Sequence, residues 1–170
     1  MQQLHAPWRM DYIRTLDKPG NDTCFLCAAA AAPREKWKDH LVLWTTPKSL
    51  VCINLFPYTN GHLLVAPREH KADLESLDAE ELVDLQQQTV EGVKLLKRAI
   101  SPQGFNLGVN LGRCSGAGLP GHLHQHVVPR WNGDTNFITV VGEIRIVPQA
   151  VSQLYDELMR AREEMSRCSS

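Results

Sequence analysis

Gly121-His122-Leu123-His124-Gln125-His126-Val127-Val128-Pro129-Arg130-Trp131 is the stretch on which the reading of this chain turns. Successive side chains of a strand point to opposite faces, so a strand here puts His122, His124 and His126 on one face. Leu123, Gln125 and Val127 take the other. Pro129 has no N–H to give to a ladder and is expected to limit the strand, with Arg130 and Trp131 at its mouth. A row of imidazoles beside a guanidinium and an indole suits an anionic, aromatic ligand. Such a row can bind a metal, move protons or attack an electrophile, or simply fill hydrogen bonds, and spacing alone does not choose.

Upstream lies Gly112-Arg113-Cys114-Ser115-Gly116-Ala117-Gly118-Leu119-Pro120-Gly121. Its glycines allow backbone N–H groups to approach a phosphate closely, although the same composition also makes an ordinary turn. Residues 41–46, 50–55, 62–66 and 105–111 read as strands, and the short connections among the first three favour antiparallel neighbours. Asp78 and Glu81 form a capping box for a helix reaching about Ile100, with Leu82, Leu85, Thr89, Val93, Leu96 and Ile100 on its apolar stripe. Residues 137–147 read as partly strand-like. Val147-Pro148 then opens a last helix with Val151, Leu154, Tyr155, Leu158 and Met159 on one face. Five strands with packed helices make an α+β fold.

The 170 residues are one domain's worth of chain. We divide it into an N-terminal arm and link (1–22), a core (23–132) and a C-terminal extension with a helix (133–170). With 43% hydrophobic and 22% charged residues the composition is that of a soluble globular protein. A net charge of −1 argues against a general grip on nucleic acid or on an anionic membrane. The first residues lack the basic and apolar segments of a signal peptide, and a cytoplasmic location is expected.

Five cysteines are an odd number, which disfavours a disulfide framework. Cys24-Phe25-Leu26-Cys27 has the spacing of two zinc thiolates, of a redox pair, or of two ordinary buried thiols. Cys52, Cys114 and Cys168 read as incidental thiols. After Cys27 the alanine run favours one or two helical turns, stopped near Pro33. Trp8, Met10, Tyr12 and Ile13 carry too much apolar surface to stand in water, so the arm is expected to pack on its own domain or on a partner subunit.

Taken together, these motifs resemble the histidine-triad superfamily of nucleotide hydrolases and transferases. His122-Leu123-His124-Gln125-His126-Val127-Val128 is similar to its His-x-His-x-His-x-x signature, with Gln125 departing from the usual apolar x. Asn54-Leu55-Phe56-Pro57 and Gly61-His62-Leu63-Leu64-Val65-Ala66-Pro67 match the family's other landmark. Val128-Pro129-Arg130-Trp131-Asn132-Gly133-Asp134-Thr135-Asn136-Phe137 resembles its diadenosine-polyphosphate phosphorylase and hydrolase branch.

The resemblance implies cleavage of dinucleoside polyphosphates, such as diadenosine tetraphosphate, at the α-phosphate through a nucleotidyl-histidine. The other class left open is a nucleotide-binding regulatory module with slow or incidental hydrolysis of other nucleotide conjugates. On the first reading His124 is the nucleophile, His126 donates to a phosphate or bridging oxygen, and His62 supports proton transfer. Asn54 holds the ribose, Leu55 and Phe56 flank the base, and Trp131 lies near the ligand; Asn110, Ser115 and Gly118 complete the substrate contacts. Family members usually place Gln and Ser where this loop has Gly118 and Leu119, with Ser115 a candidate replacement for the hydroxyl. The resemblance also implies a structural zinc on Cys24, Cys27, His70 and His122, and a homodimer.

Overall fold

The computed structural model describes residues 24–135, 137–142 and 147–168. The expectation for the arm over residues 1–22 therefore lies outside the described residues.

Helix α1 (Phe25–Ala31) is followed by strands β1 (Val42–Thr45), β2 (Ser49–Ile53) and β3 (Leu63–Pro67). The long helix α2 (Ala79–Ile100), β4 (Gly104–Val109) and β5 (Gln125–Arg130) come next, then the short α3 (Phe137–Val141) and α4 (Val151–Cys168). The five strands form one antiparallel sheet in the order β1-β2-β3-β5-β4. This is the α+β fold expected from the strand and helix pattern.

Alternation along the strands sorts side chains into two layers. Leu43, Val51, Ile53, Leu63, Val65 and Val127 pack with Leu85, Leu95 and Leu96 of α2 and Leu154 and Leu158 of α4. On the other face Val42, Leu50, Cys52, Leu64 and Ala66 pack with Leu26, Ala29 and Ala30 of α1. In the β3–β5 ladder Leu64 stands opposite His126, whereas Val65 stands opposite Gln125. His126 thus shares the α1 face, and Gln125 faces α2, where its Oε1 accepts from Gln86 Nε2 at 2.9 Å.

Three expectations need correction. The histidine strand begins only at Gln125, so His122 and His124 lie in the bend and connector that lead into it. Pro129 does not end β5 but sits within it opposite Phe105, beyond the last β3 partner at Val127, where that side of the strand asks for no N–H. Residues 137–141 form a helix despite their β-branched content, since no described strand pairs with them and the backbone bonds locally instead; residues 143–146 of the same expectation lie outside the described residues.

The capping box is present: Glu81 N–H donates to Asp78 Oδ1 and Asp78 N–H to Glu81 Oε2, each at 2.7 Å. The buried face of α2, however, runs through Glu81, Leu85, Thr89, Gly92, Leu95 and Leu96. Leu82 is turned outward with Val83 and Val90, lining a shallow apolar groove with Gln86, Gln87 and Glu91. Helix α4 buries Leu154, Tyr155, Leu158 and Ala161, and the Tyr155 hydroxyl donates to Val42 O at 3.0 Å.

Candidate active site and metal centre

Five of the seven histidines gather along the β3–β5 pair of the sheet, in two adjoining clusters. The first joins α1 to the start of the histidine stretch. Cys24 Sγ lies 3.1 Å from His122 Nδ1, while Cys27 Sγ lies 3.2 Å from His70 Nδ1 and 3.4 Å from His122 Nδ1. One donor atom from each of the four residues falls within 4.8 Å of all the others. A tetrahedral zinc with nitrogen and sulfur ligands separates its donors by roughly 3.3–3.8 Å, so the set is close to that size.

The tautomer of His122 fits the same reading. Its Nε2 is 2.8 Å from Pro67 O, which can only accept, so Nε2 carries the proton and Nδ1 turns its lone pair toward the two sulfurs. His122 is wholly buried, and that burial lowers its pKa, against the pull of the Pro67 carbonyl. Burial, with the neighbouring Cys24 thiol, pushes Cys27 up to about 11. Without a cation that thiol keeps its proton; a bound metal would displace it. Cys52, by contrast, is a core thiol whose burial alone raises it to about 12.

The segment carrying His70 is tied down on two sides. Leu123 N–H donates to Lys71 O at 2.6 Å, and Lys71 Nζ contacts both oxygens of Glu81 at 2.5 and 2.7 Å. The N-terminus of α2 thus fixes the chain between His122 and His124.

The second cluster holds His124, His126 and His62. His124 Nδ1 lies 2.8 Å from the carbonyl of His122, so it must be the protonated nitrogen, leaving the lone pair of Nε2 for chemistry. Burial lowers the pKa of His124 and keeps the ring neutral.

His62 is wholly buried and its Nδ1 accepts the backbone N–H of Tyr58 at 3.1 Å, with Asn54 Nδ2 at 3.3 Å. A backbone N–H can only donate, so the neutral His62 carries its proton on Nε2. That nitrogen is 2.9 Å from His126 Nδ1, which must then accept, and His126 is left with an Nε2–H donor. Asn110 Nδ2 lies 3.4 Å from this nitrogen, so with the proton on His126 Nε2 that contact is no hydrogen bond unless the amide turns its oxygen inward. Burial, reinforced by His124, brings the pKa of His126 down to about 4. The cluster presents one nucleophilic lone pair beside one neutral N–H donor.

Of the remaining expected residues, Leu55 and Phe56 are exposed on the loop after Asn54, where Phe56 N–H donates to Asn54 Oδ1 at 3.0 Å. Ser115 is exposed and its hydroxyl donates to Gly112 O at 2.7 Å, so its oxygen lone pairs rather than its proton face outward. Gly118 is partly buried in the same loop, and Leu119 packs against the α1 face. Trp131 is partly buried at the end of β5, its backbone N–H donating to Asp134 Oδ2 at 3.2 Å. Asp134 is in turn paired with Arg130 at 2.6 and 2.9 Å, and that guanidinium holds the Asp134 carboxyl down at about 2. Sequence reasoning missed Tyr58, whose ring lies against His62 and His126. Its place between Phe56-Pro57 and Gly61-His62 was the available signal.

Residues 35–133 match a family model described as the HIT domain. An AP-4-A phosphorylase of Mycobacterium tuberculosis is 36% identical over 152 residues, covering 88% of this chain and 78% of the relative. A bis(5'-nucleosyl)-tetraphosphatase (asymmetrical) of Schizosaccharomyces pombe is 31% identical, over 55% of this chain and 50% of its own length. Among solved structures, a Zn-bound histidine triad family protein of Mycobacterium smegmatis superposes with a TM-score of 0.68 at 24% identity, covering 88% of this chain and 99% of that one. The match over most of the sheet and its histidines, with a relative of this identity along nearly the whole chain, places the protein in the HIT family of nucleotide-processing enzymes.

Proposed function

We propose that this chain cleaves dinucleoside polyphosphates at the α-phosphate through a covalent nucleotidyl intermediate on His124. The observation that carries the reading is the hydrogen-bond geometry of the three rings, which assigns a lone pair to His124 Nε2 through the His122 carbonyl and a proton to His126 Nε2 through the His62 relay. His124 Nε2 attacks the α-phosphorus as the P–O bond to the departing nucleotide breaks. The leaving group is a phosphate anion, so a hydrogen bond from His126 Nε2–H suffices to stabilise it without full proton transfer. The nucleotidyl-imidazolium formed on His124 keeps its Nδ1–H on the His122 carbonyl. Water or phosphate then attacks the same phosphorus and the N–P bond breaks, splitting one displacement into two.

Asn54, Leu55, Phe56 and Trp131 would bind the nucleoside, and Asn110, Ser115 and the Gly118 loop the phosphates. Support for dinucleotide chemistry comes from the names of the mycobacterial and yeast relatives. The deciding assay offers diadenosine tetraphosphate with and without inorganic phosphate. ATP plus AMP identifies water as acceptor, ATP plus ADP identifies phosphate, and no product from either counts against the proposal.

Cys24, Cys27, His70 and His122 would hold a zinc as a closed four-ligand site. Such an ion supplies rigidity, fixing His122 and with it the carbonyl that orients His124. Two reduced thiols at that site fit a cytoplasmic setting. No helix among the described residues is long and apolar enough to cross a membrane. We further propose a homodimer through the outward face of α2 and the edge strand β4, where Leu82, Val83, Val90 and Leu107 stand exposed.

A further inference from the structure

The Tyr58 side chain has no role in the reaction as written, yet its ring closes a triangle with two of the histidines. Its centroid is 4.7 Å from that of His62 at 36°, and 5.8 Å from that of His126 at 27°; the two imidazoles are 5.1 Å apart at 46°. These separations are those of attractive offset and tilted ring pairs. An imidazole turns about a broad terminal torsion, and rotating His126 by half a turn would replace Nδ1 by a carbon and break its bond to His62.

The groups facing His126 are His62, His124, Asn110 and Tyr58. The first two contribute a donor and a tilted ring, and Asn110 a single amide contact at 3.4 Å. Among the described residues only the Tyr58 ring lies close to parallel with the His126 ring, at 27°, and so resists its rotation.

We propose that Tyr58 is a positioning residue whose ring holds His62 and His126 in register, so that the donor direction set by the Tyr58 backbone amide is passed through both imidazoles to His126 Nε2–H. The inference rests on the reaction proposed above for its kinetic consequence, but not for its structural content. If His126 loses that register, its Nε2 presents a lone pair to an anionic oxygen in a share of molecules, and the step slows while the nucleoside contacts stay in place.

The test uses the full chain loaded with zinc and labelled with ¹⁵N-histidine, as wild type, Tyr58→Phe and Tyr58→Leu. Ring-nitrogen protonation is read by long-range ¹H–¹⁵N correlation at neutral pH, beside kcat and KM for diadenosine tetraphosphate. Wild type and Tyr58→Phe are expected to carry the proton on Nε2 of both His62 and His126. Tyr58→Leu is expected to show mixed tautomers at His126, with kcat lower by roughly tenfold or more. Its KM should stay within about twofold, and Tyr58→Phe should keep nearly the full rate.

A Tyr58→Leu protein with a pure Nε2–H tautomer at His126 overturns the proposal, whatever its rate. So does a wild-type protein whose His126 carries its proton on Nδ1, a result that needs no variant to fold. Should the wild type cleave no dinucleotide, the reaction reading falls, and the ring-nitrogen pattern alone decides the role of Tyr58.

Discussion

A histidine serves as nucleophile or as donor according to which of its two nitrogens holds the proton, and here carbonyls and amides of the backbone make that choice. The His122 carbonyl takes the Nδ1 proton of His124, and the Tyr58 amide forces the proton of His62 outward to Nε2. Burial then keeps the rings neutral: His124 is lowered and His126 brought down to about 4. A group with a depressed cationic pKa binds fewer protons folded than unfolded over the window between the two values. Its contribution to stability is therefore lost as pH falls from about 6.5 to about 4. With both rings lowered, we expect the acid limb of the kcat profile to lie below the ordinary histidine range, with protonation of His126, brought down to about 4, breaking the relay; an acid limb near 6.5 would contradict this. The alternation of His122, His124 and His126 was legible in the sequence because period-two spacing implies shared faces. The tautomers were not, since they depend on Pro67 O, the His122 carbonyl and the Tyr58 amide, backbone groups that every residue type carries and that the fold brings to the rings.

At the level of elements, the turn before β3 and the start of α2 aim the site. Gly61 has φ +82°, and a Cβ there would meet Ile100 Cδ1 at 2.5 Å and Leu96 Cδ2 at 3.1 Å. Gly61→Ala should destabilise the fold by about 2 kcal/mol through left-handed strain and overpacking against α2. For a chain of this size that is a fall in Tm of roughly 4–8 °C, measurable by calorimetry. Glu81, held below the usual carboxylate range first by Lys71 and then by the Asp78 amide, should stabilise the fold at neutral pH and lose that effect as pH falls through the carboxylate range. Glu81→Gln should lower Tm at pH 7, with the difference from wild type shrinking toward pH 3. The capping box itself was readable from Asp78 and Glu81. Two neighbouring features were not: Leu82 belongs by spacing to the stripe but is displaced by the sheet's choice of Glu81 and Leu85, and residues 137–141 carry strand propensity without a strand to pair with.

For the whole molecule, the Cys24–Cys27–His70–His122 cluster and the exposed α2–β4 face carry the two largest consequences. Cys24→Ser should abolish stoichiometric zinc, read by elemental analysis, and lower Tm more than any single loss at the His124 cluster, because His122 and the Leu123–Lys71 contact lose their common anchor. Retention of one zinc per chain in that variant would remove Cys24 from the ligand set. Val83→Glu with Val90→Glu should convert a dimer to a monomer in sedimentation, since both side chains are more than half exposed in the single chain and would be desolvated between copies. A wild type that sediments as a monomer at micromolar concentration would contradict the dimer outright.

The account as a whole stands on His124 as the nucleophile, and the most direct measurement is to quench the wild type during turnover of diadenosine tetraphosphate and map any covalent nucleotide by mass spectrometry. We predict a nucleotidyl group on His124 that is stable in base and lost in mild acid, where the phosphoramidate nitrogen is protonated. His124→Ala should show no adduct and a rate lower by on the order of a thousandfold or more, while still binding nucleotide through contacts that do not involve the imidazole. An adduct on another residue, or substantial turnover by His124→Ala, would contradict it.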